Sequence, residues 1–174
     1  MQELKKVAVI GGGLIGMSWA SLFLARGLTV VVVEPRPEAE AELRNFVAAA
    51  WPKLQALGLT SSDTPRHAEF SGAIGSLTDI DFVQENGPDR IEVKRQLVRA
   101  LEQVIAPEVV IASSTSSLLA SEIQSAAQHP ERILVGHPMN PPHLVPMVEL
   151  VAGKQTSEAS MQRAEAFYRQ MQRV

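Results

Sequence analysis

The chain contains no cysteine, no internal repeat and no low-complexity segment, and its formal net charge is only -3. Without cysteine there is no disulfide framework, no thiolate nucleophile and no cysteine-ligated zinc, so any chemistry must come from oxygen and nitrogen groups. That absence fits a reducing, cytoplasmic setting, and no metal site is expected. The small charge gives no electrostatic reason to seek polyanions, so nucleic acid is not an expected partner. With 174 residues, 45% hydrophobic and 20% charged, the chain is long enough for one globular domain with a real core and too short for two ordinary ones.

An uncharged run from Val7 to Ala25, preceded by Lys5 and Lys6, superficially resembles a signal peptide or a membrane span. Gly11, Gly12, Gly13 and Gly16 interrupt it, and each would weaken a continuous helix by roughly 1 kcal/mol relative to alanine. Strand, tight turn and helix account for the same residues better, and no membrane partner is expected.

The hydrophobic pattern alternates short apolar runs with helical stripes. Strands are expected at Lys6–Ile10, Thr29–Val33, weakly at Ala68–Phe70, then at Asp81–Gln84, Val109–Ala112, Ile133–Gly136 and Met147–Val151. Helices are expected over Leu14–Arg26, Pro37–Leu57 with Pro52 as a kink, from Pro88 and Asp89 through Ile105, over Leu118–Ala127, and over Ser157–Met171. This order predicts an α/β fold of Rossmann type: a doubly wound, mainly parallel sheet with helices on both faces. Ligands in such sheets bind beyond the carboxyl ends of the strands. The loops after Ile10, Val33, Gln84, Ala112 and Gly136 should therefore share one rim.

Gly11, Gly13 and Gly16 form a G-x-G-x-x-G pattern directly after a strand, with Leu14 and Ile15 opening a helix. In that context the first glycine permits the turn, the second admits a pyrophosphate, and the third lets helix and strand lie close. The helix N-terminus supplies free N–H donors and a positive dipole end. Glu34, at the end of the second strand, is placed to accept hydrogen bonds from the adenosine ribose, which favours NAD over NADP. Arg36 would partly offset the repulsion of an added phosphate.

Oxidation of a secondary alcohol needs a base, and histidine is poised for that near neutral pH. Of the four histidines, His67 and His129 read as surface residues and His143 as a weaker contender lining the pocket. His137, at the end of the sixth strand, has Glu149 twelve positions later across a proline-rich turn. Such a carboxylate can fix the imidazole tautomer and stabilise the imidazolium. Read bottom-up, Ser113 to Ser117 are as readily helix caps as ligand contacts. Glu85, Asp89 and Lys94 read as a strand-end acid, a first-turn acid and a solvated helix lysine.

The ordered set GGGLIG, VQENGPDRIEVK, SSTSSLL and GHPMNPPHLVPMVELV resembles the 3-hydroxyacyl-CoA dehydrogenase family over nearly the whole chain. It is most similar to the lambda-crystallin, L-gulonate 3-dehydrogenase and carnitine dehydrogenase branch. The resemblance implies His137 as catalytic base, Glu149 as its orienting partner, and Asn140 and Ser116 as companions at the substrate. It implies that Glu85, Asp89 and Lys94 lie near the nicotinamide half of NAD, and Ser114 is also expected to bind the cofactor. The substrate class implied is a small hydroxy acid or a hydroxyacyl-CoA. HPMNPP, with Pro138 and Met139 in place of the usual aromatics, and a short connection after the helix ending near Leu57, lean away from the CoA thioester. Residues 1–174 are expected to form the NAD-binding domain alone. An all-helical second domain, which in this family closes the pocket and forms a homodimer, is expected to be absent from this chain. A non-catalytic NAD-binding module or crystallin-like protein is the rival from another class.

Overall fold

The computed structural model describes residues 4–173, so residues 1–3 and Val174 lie outside the description. Its elements are β1 (Lys6–Ile10), α1 (Leu14–Ala25), β2 (Thr29–Val33), α2 (Ala39–Ala56), β3 (Glu69–Ser71), β4 (Phe82–Glu85), α3 (Ile91–Glu102), β5 (Val110–Ser113), α4 (Ala120–Gln124), β6 (Ile133–Pro138), β7 (Val148–Ala152) and α5 (Glu158–Gln170). The strands form one seven-stranded sheet in the order β3-β2-β1-β4-β5-β6-β7. All neighbours run parallel except β7, which returns antiparallel to β6. This is the doubly wound α/β sheet expected from the alternating pattern.

Side-chain alternation along each strand produces the two covered faces. Val7 and Val9 of β1, Val30 and Val32 of β2, and Phe82 of β4 join α1, α2 and α5 in one core. Ala8 and Ile10, Val31 and Val33, and Val83 point the other way, toward Val98 and Leu101 of α3 and Ile123 of α4. A strand buried on both faces reads as an unbroken apolar run, which is why TVVVV was legible. Among the described residues no helix is long and apolar enough to cross a membrane.

Several boundaries differ from the sequence expectation, each for a local reason. The third strand, expected at Ala68–Phe70, sits one residue later at Glu69–Ser71. Helix α2 begins at Ala39 and continues through Pro52 to Ala56. Helix α3 starts at Ile91 rather than at Pro88 and Asp89, because the Arg90 N–H bonds Pro88 O at 2.8 Å in a tight turn and Asp89 is held sideways by Ser117. Helix α4 is only Ala120–Gln124. The N–H groups of Ser117 and Leu118 bond Thr115 Oγ1, and Leu119 stays extended, so the helix begins late. Strand β6 runs past Gly136 to Pro138 because β7 pairs with it that far. Between α2 and β4 lie only the three residues of β3 and a single 3-10 turn at Ile74–Ser76.

Candidate functional site

The parallel strands β1, β2, β4 and β5 end on a common rim, where backbone bonds stitch their exits together. Gly11 N–H donates to Val33 O, Asn86 N–H to Ile10 O, and Ser114 N–H to Glu85 O. Gly11 has φ +93, and a Cβ there would lie 2.8 Å from Asn86 O. At Gly16 a Cβ would fall 1.9 Å from Gly11 O, so no side chain fits between turn and helix. Gly13 faces open space and caps α1 without any side-chain hydrogen bond. The first N–H groups of α1, at Leu14, Ile15 and Gly16, therefore point out of the turn without intrahelical partners. A pyrophosphate fits this cradle on both shape and charge.

Glu34 stands beside that cradle. Its Oε2 accepts the Gly12 N–H at 2.9 Å, and its Oε1 accepts the Arg36 N–H at 3.2 Å. Arg36 is not a free cation: its guanidinium also reaches Glu38 at 3.5 Å and Glu42 at 3.3 Å. Desolvation lowers its proton affinity, but the carboxylates of Glu42, Glu34 and Glu38 together raise it by more. Its charge is thus opposed by carboxylates from Glu34, Glu38 and Glu42.

Glu85 and Lys94 are not open on the rim. Their side chains are 2% exposed and paired at 2.9 Å. Glu85 also accepts the Gly87 N–H and the Ser113 hydroxyl, each at 2.6 Å, while Lys94 donates to Gly87 O. Lys94 is thus a buried lysine rather than a solvated one. It braces the Asn86–Gly87 turn from beneath. Asp89 sits at the edge, where burial alone would raise its carboxyl, but the hydroxyls of Thr115 and Ser117, the Lys94 charge and the Ser116 N–H together hold it low.

The hydroxyls of Ser113 to Ser117 cap no helix, contrary to one sequence reading. Ser113 and Ser117 serve Glu85 and Asp89, and Thr115 folds its own turn. Ser114 Oγ donates to Asn86 Oδ1 at 2.7 Å and accepts from Gln84 Nε2 and Trp19 Nε1. One donor and two acceptor positions are then filled, so the Ser114 hydroxyl has none left for a ligand. Asn86, which sequence reasoning passed over, is the hub of this rim. The Asn86–Gly87 dipeptide at a strand end was the turn signal that could have found it.

His137 and Glu149 meet because they are directly opposed in the antiparallel β6–β7 register, where cross-strand side chains approach closely. His137 Nδ1 lies 3.1 Å from Glu149 Oε2, with the side chains 26% and 55% exposed. Both line a cavity of about 250 Å³ with Ser116, Thr115, Val135 and Val151. Asn140 is exposed on the following loop and is not among the residues lining that cavity. His143 does not line it either. It is buried, with Nδ1 2.6 Å from Ser18 Oγ and its ring edge-on to Phe46. His67 is exposed and His129 half-buried, paired with Glu131.

Known proteins share this arrangement of chain. Residues 6–174 match the family model described as 3-hydroxyacyl-CoA dehydrogenase, NAD binding domain. An L-carnitine dehydrogenase of Streptomyces coelicolor is 42% identical over 96% of this chain and 53% of its own length. A 3-hydroxyacyl-CoA dehydrogenase of Gibberella moniliformis is 43% identical over 97% of this chain and 52% of its own. A solved structure of 5-formyl-3-hydroxy-2-methylpyridine 4-carboxylic acid 5-dehydrogenase, an NAD+-dependent dismutase, superposes with a TM-score of 0.90 at 29% identity, covering 99% of this chain and 56% of that one. The chain spans about half the length of the relatives it matches. With NAD as the cofactor that this sheet and glycine turn are built to hold, the chain belongs to the 3-hydroxyacyl-CoA dehydrogenase family, whose NAD-binding-domain model it matches over residues 6–174.

Proposed function

We propose that this chain carries the cofactor-binding and proton-transfer groups of an NAD-dependent dehydrogenase that oxidises the 3-hydroxyl of a small free hydroxy acid to the ketone. One observation carries the reading. The His137–Glu149 pair and Ser116 line a single cavity on the strand-exit side of the sheet that also presents the glycine turn. With Nδ1–H donated to Glu149, the neutral imidazole keeps its lone pair on Nε2, ready to take a hydroxyl proton. Glu149 then stabilises the imidazolium that results. Ser116 offers a hydroxyl to the substrate oxygen. Bound NAD+ supplies the hydride acceptor. Because both members of the pair are part-exposed, their attraction is weak in water and strengthens when substrate excludes solvent from the cavity.

Two observations favour a free hydroxy acid of the L-carnitine kind over a CoA ester. Relatives at 40–43% identity carry the L-carnitine dehydrogenase name. The link between α2 and β4 also holds no helical excursion of the sort expected to grip CoA. The Gibberella relative keeps the CoA ester as the second reading.

Offering L-carnitine, L-gulonate, 3-hydroxybutyrate and 3-hydroxybutyryl-CoA separately with NAD+, and following reduced-nicotinamide absorbance, distinguishes them. His137→Gln is expected to lower turnover at least about a hundredfold while NAD+ affinity stays within about twofold. Full turnover in that variant would remove the base assignment. NAD+ binding without turnover on any of the four would favour a binding module.

A further inference from the structure

Resting on the NAD reading above, the arrangement around Arg36 points to a second layer of cofactor selection. The chain carries an arginine two residues beyond the carboxylate at the β2 exit, the place where an arginine commonly accepts the extra ribose phosphate of NADP. Yet Arg36, though exposed, is paired with three acids: Nε lies 3.3 Å from Glu34, Nη1 3.5 Å from Glu38, and Nη1 and Nη2 each 3.3 Å from Glu42. Glu38 is the N-cap of α2 and Glu42 lies in its first turn, so α2 itself delivers the two acids. Both carboxylates bond to Arg36, and neither hydrogen-bonds the glycine turn.

We propose that Glu38 and Glu42 are specificity-determining residues that hold Arg36 away from a ribose 2′-phosphate and leave the adenosine end of the site net negative. Glu34 alone would discriminate through one carboxylate. Here it is bonded to Gly12 and 13% exposed, so its place is fixed by the NAD turn. Glu38 and Glu42 are free to serve the discrimination alone. Each ion pair is exposed and individually weak. Their summed charge nevertheless acts on a phosphate carrying close to two negative charges, whereas NAD presents only neutral hydroxyls there.

The test is calorimetric titration of this chain with NAD+ and with NADP+. In Glu38→Gln/Glu42→Gln, NADP+ affinity is expected to rise at least about tenfold and NAD+ affinity to stay within about twofold. The gain should fade in 1 M salt and shrink, to the part owed to lost carboxylate repulsion, when Arg36→Met is added. Both substituted sites are exposed, and Glu42→Gln alone, with a smaller gain, guards against an unfolded double variant. A double variant that binds NAD+ as before but NADP+ no better overturns the proposal. Failure of the unsubstituted chain to bind NAD+ would instead sink the reading of the glycine turn on which the proposal stands.

Discussion

A lysine and a glutamate, each 2% exposed, can stay charged beneath a binding rim only if every polar position finds a partner. Glu85 does so through Lys94, Gly87 and Ser113, and Lys94 through Glu85 and Gly87. Removing one partner strands the other charge. Lys94→Met is therefore expected to cost about 3–5 kcal/mol in urea unfolding. Glu85→Gln/Lys94→Met should recover a substantial part of that loss, since no unpaired charge remains. Equal losses in the single and double variants would show that packing, not the stranded carboxylate, sets the cost. The pair also marks where residue-level reading of the sequence stops. The glycines announce themselves because only glycine tolerates the approach of Gly16 to Gly11 O. A lysine in an amphipathic helix reads as solvated, and nothing local reveals that its counter-charge waits at the end of a different strand.

At the scale of elements, the loop 139–147 is fastened to three neighbours at once. The Ser18 hydroxyl of α1 accepts the His143 N–H at 3.0 Å and bonds its Nδ1. Phe46 of α2 meets the ring, and Arg173, beyond α5, donates to the carbonyls of Pro142 and His143. Burial, with Arg26 adding repulsion, pushes Arg173 down to about 10. Burial first, then the cations Lys53 and Arg173, also hold His143 below its ordinary 6.5. A depressed histidine binds its proton less readily folded than unfolded. Between the folded value and 6.5 the unfolded chain thus carries more protons, and stability rises with pH. Acidification below about 6.5 should accordingly lower the urea midpoint through this group, and His143→Leu should flatten that dependence. An unchanged slope in the variant would assign it elsewhere. Element types were legible because strands covered on both faces read as unbroken apolar runs and helices as stripes. Their ends were not, since α3 begins where a side chain from another loop, Ser117 on Asp89, decides, and α4 where Thr115 folds its own turn. The β6–β7 register that joins His137 to Glu149 was reachable, because the prolines between them force a return.

Across the whole molecule, one chain of hydrogen bonds, buried at Tyr168 and part-buried toward the rim, links the last helix to the first strand. Tyr168 of α5 donates to Gln84 Oε1 at 2.6 Å, Gln84 Nε2 to Ser114 Oγ at 2.9 Å, Ser114 Oγ to Asn86 Oδ1 at 2.7 Å, and Asn86 Nδ2 to Ile10 O at 3.3 Å. Burial drives the Tyr168 phenol far above its usual range, so it remains a donor. Around it the stacked Phe82 and Phe167 rings, centroids 4.0 Å apart, seal α5 onto the sheet. Gly136 allows the approach, since a Cβ there would lie 2.3 Å from the phenol oxygen. Tyr168→Phe keeps the packing but leaves Gln84 Oε1 buried without its donor, at an expected cost of about 1–3 kcal/mol. Ser114→Ala breaks the same chain two bonds along. If the chain acts as one unit, the double variant should cost at least about 0.5 kcal/mol less than the sum of the singles in a double-mutant cycle. Strict additivity would mean that α5 and the cofactor rim are held independently. Coupling, by contrast, would make the seating of the last helix a condition for the shape of the Asn86 turn against which Gly11 is packed.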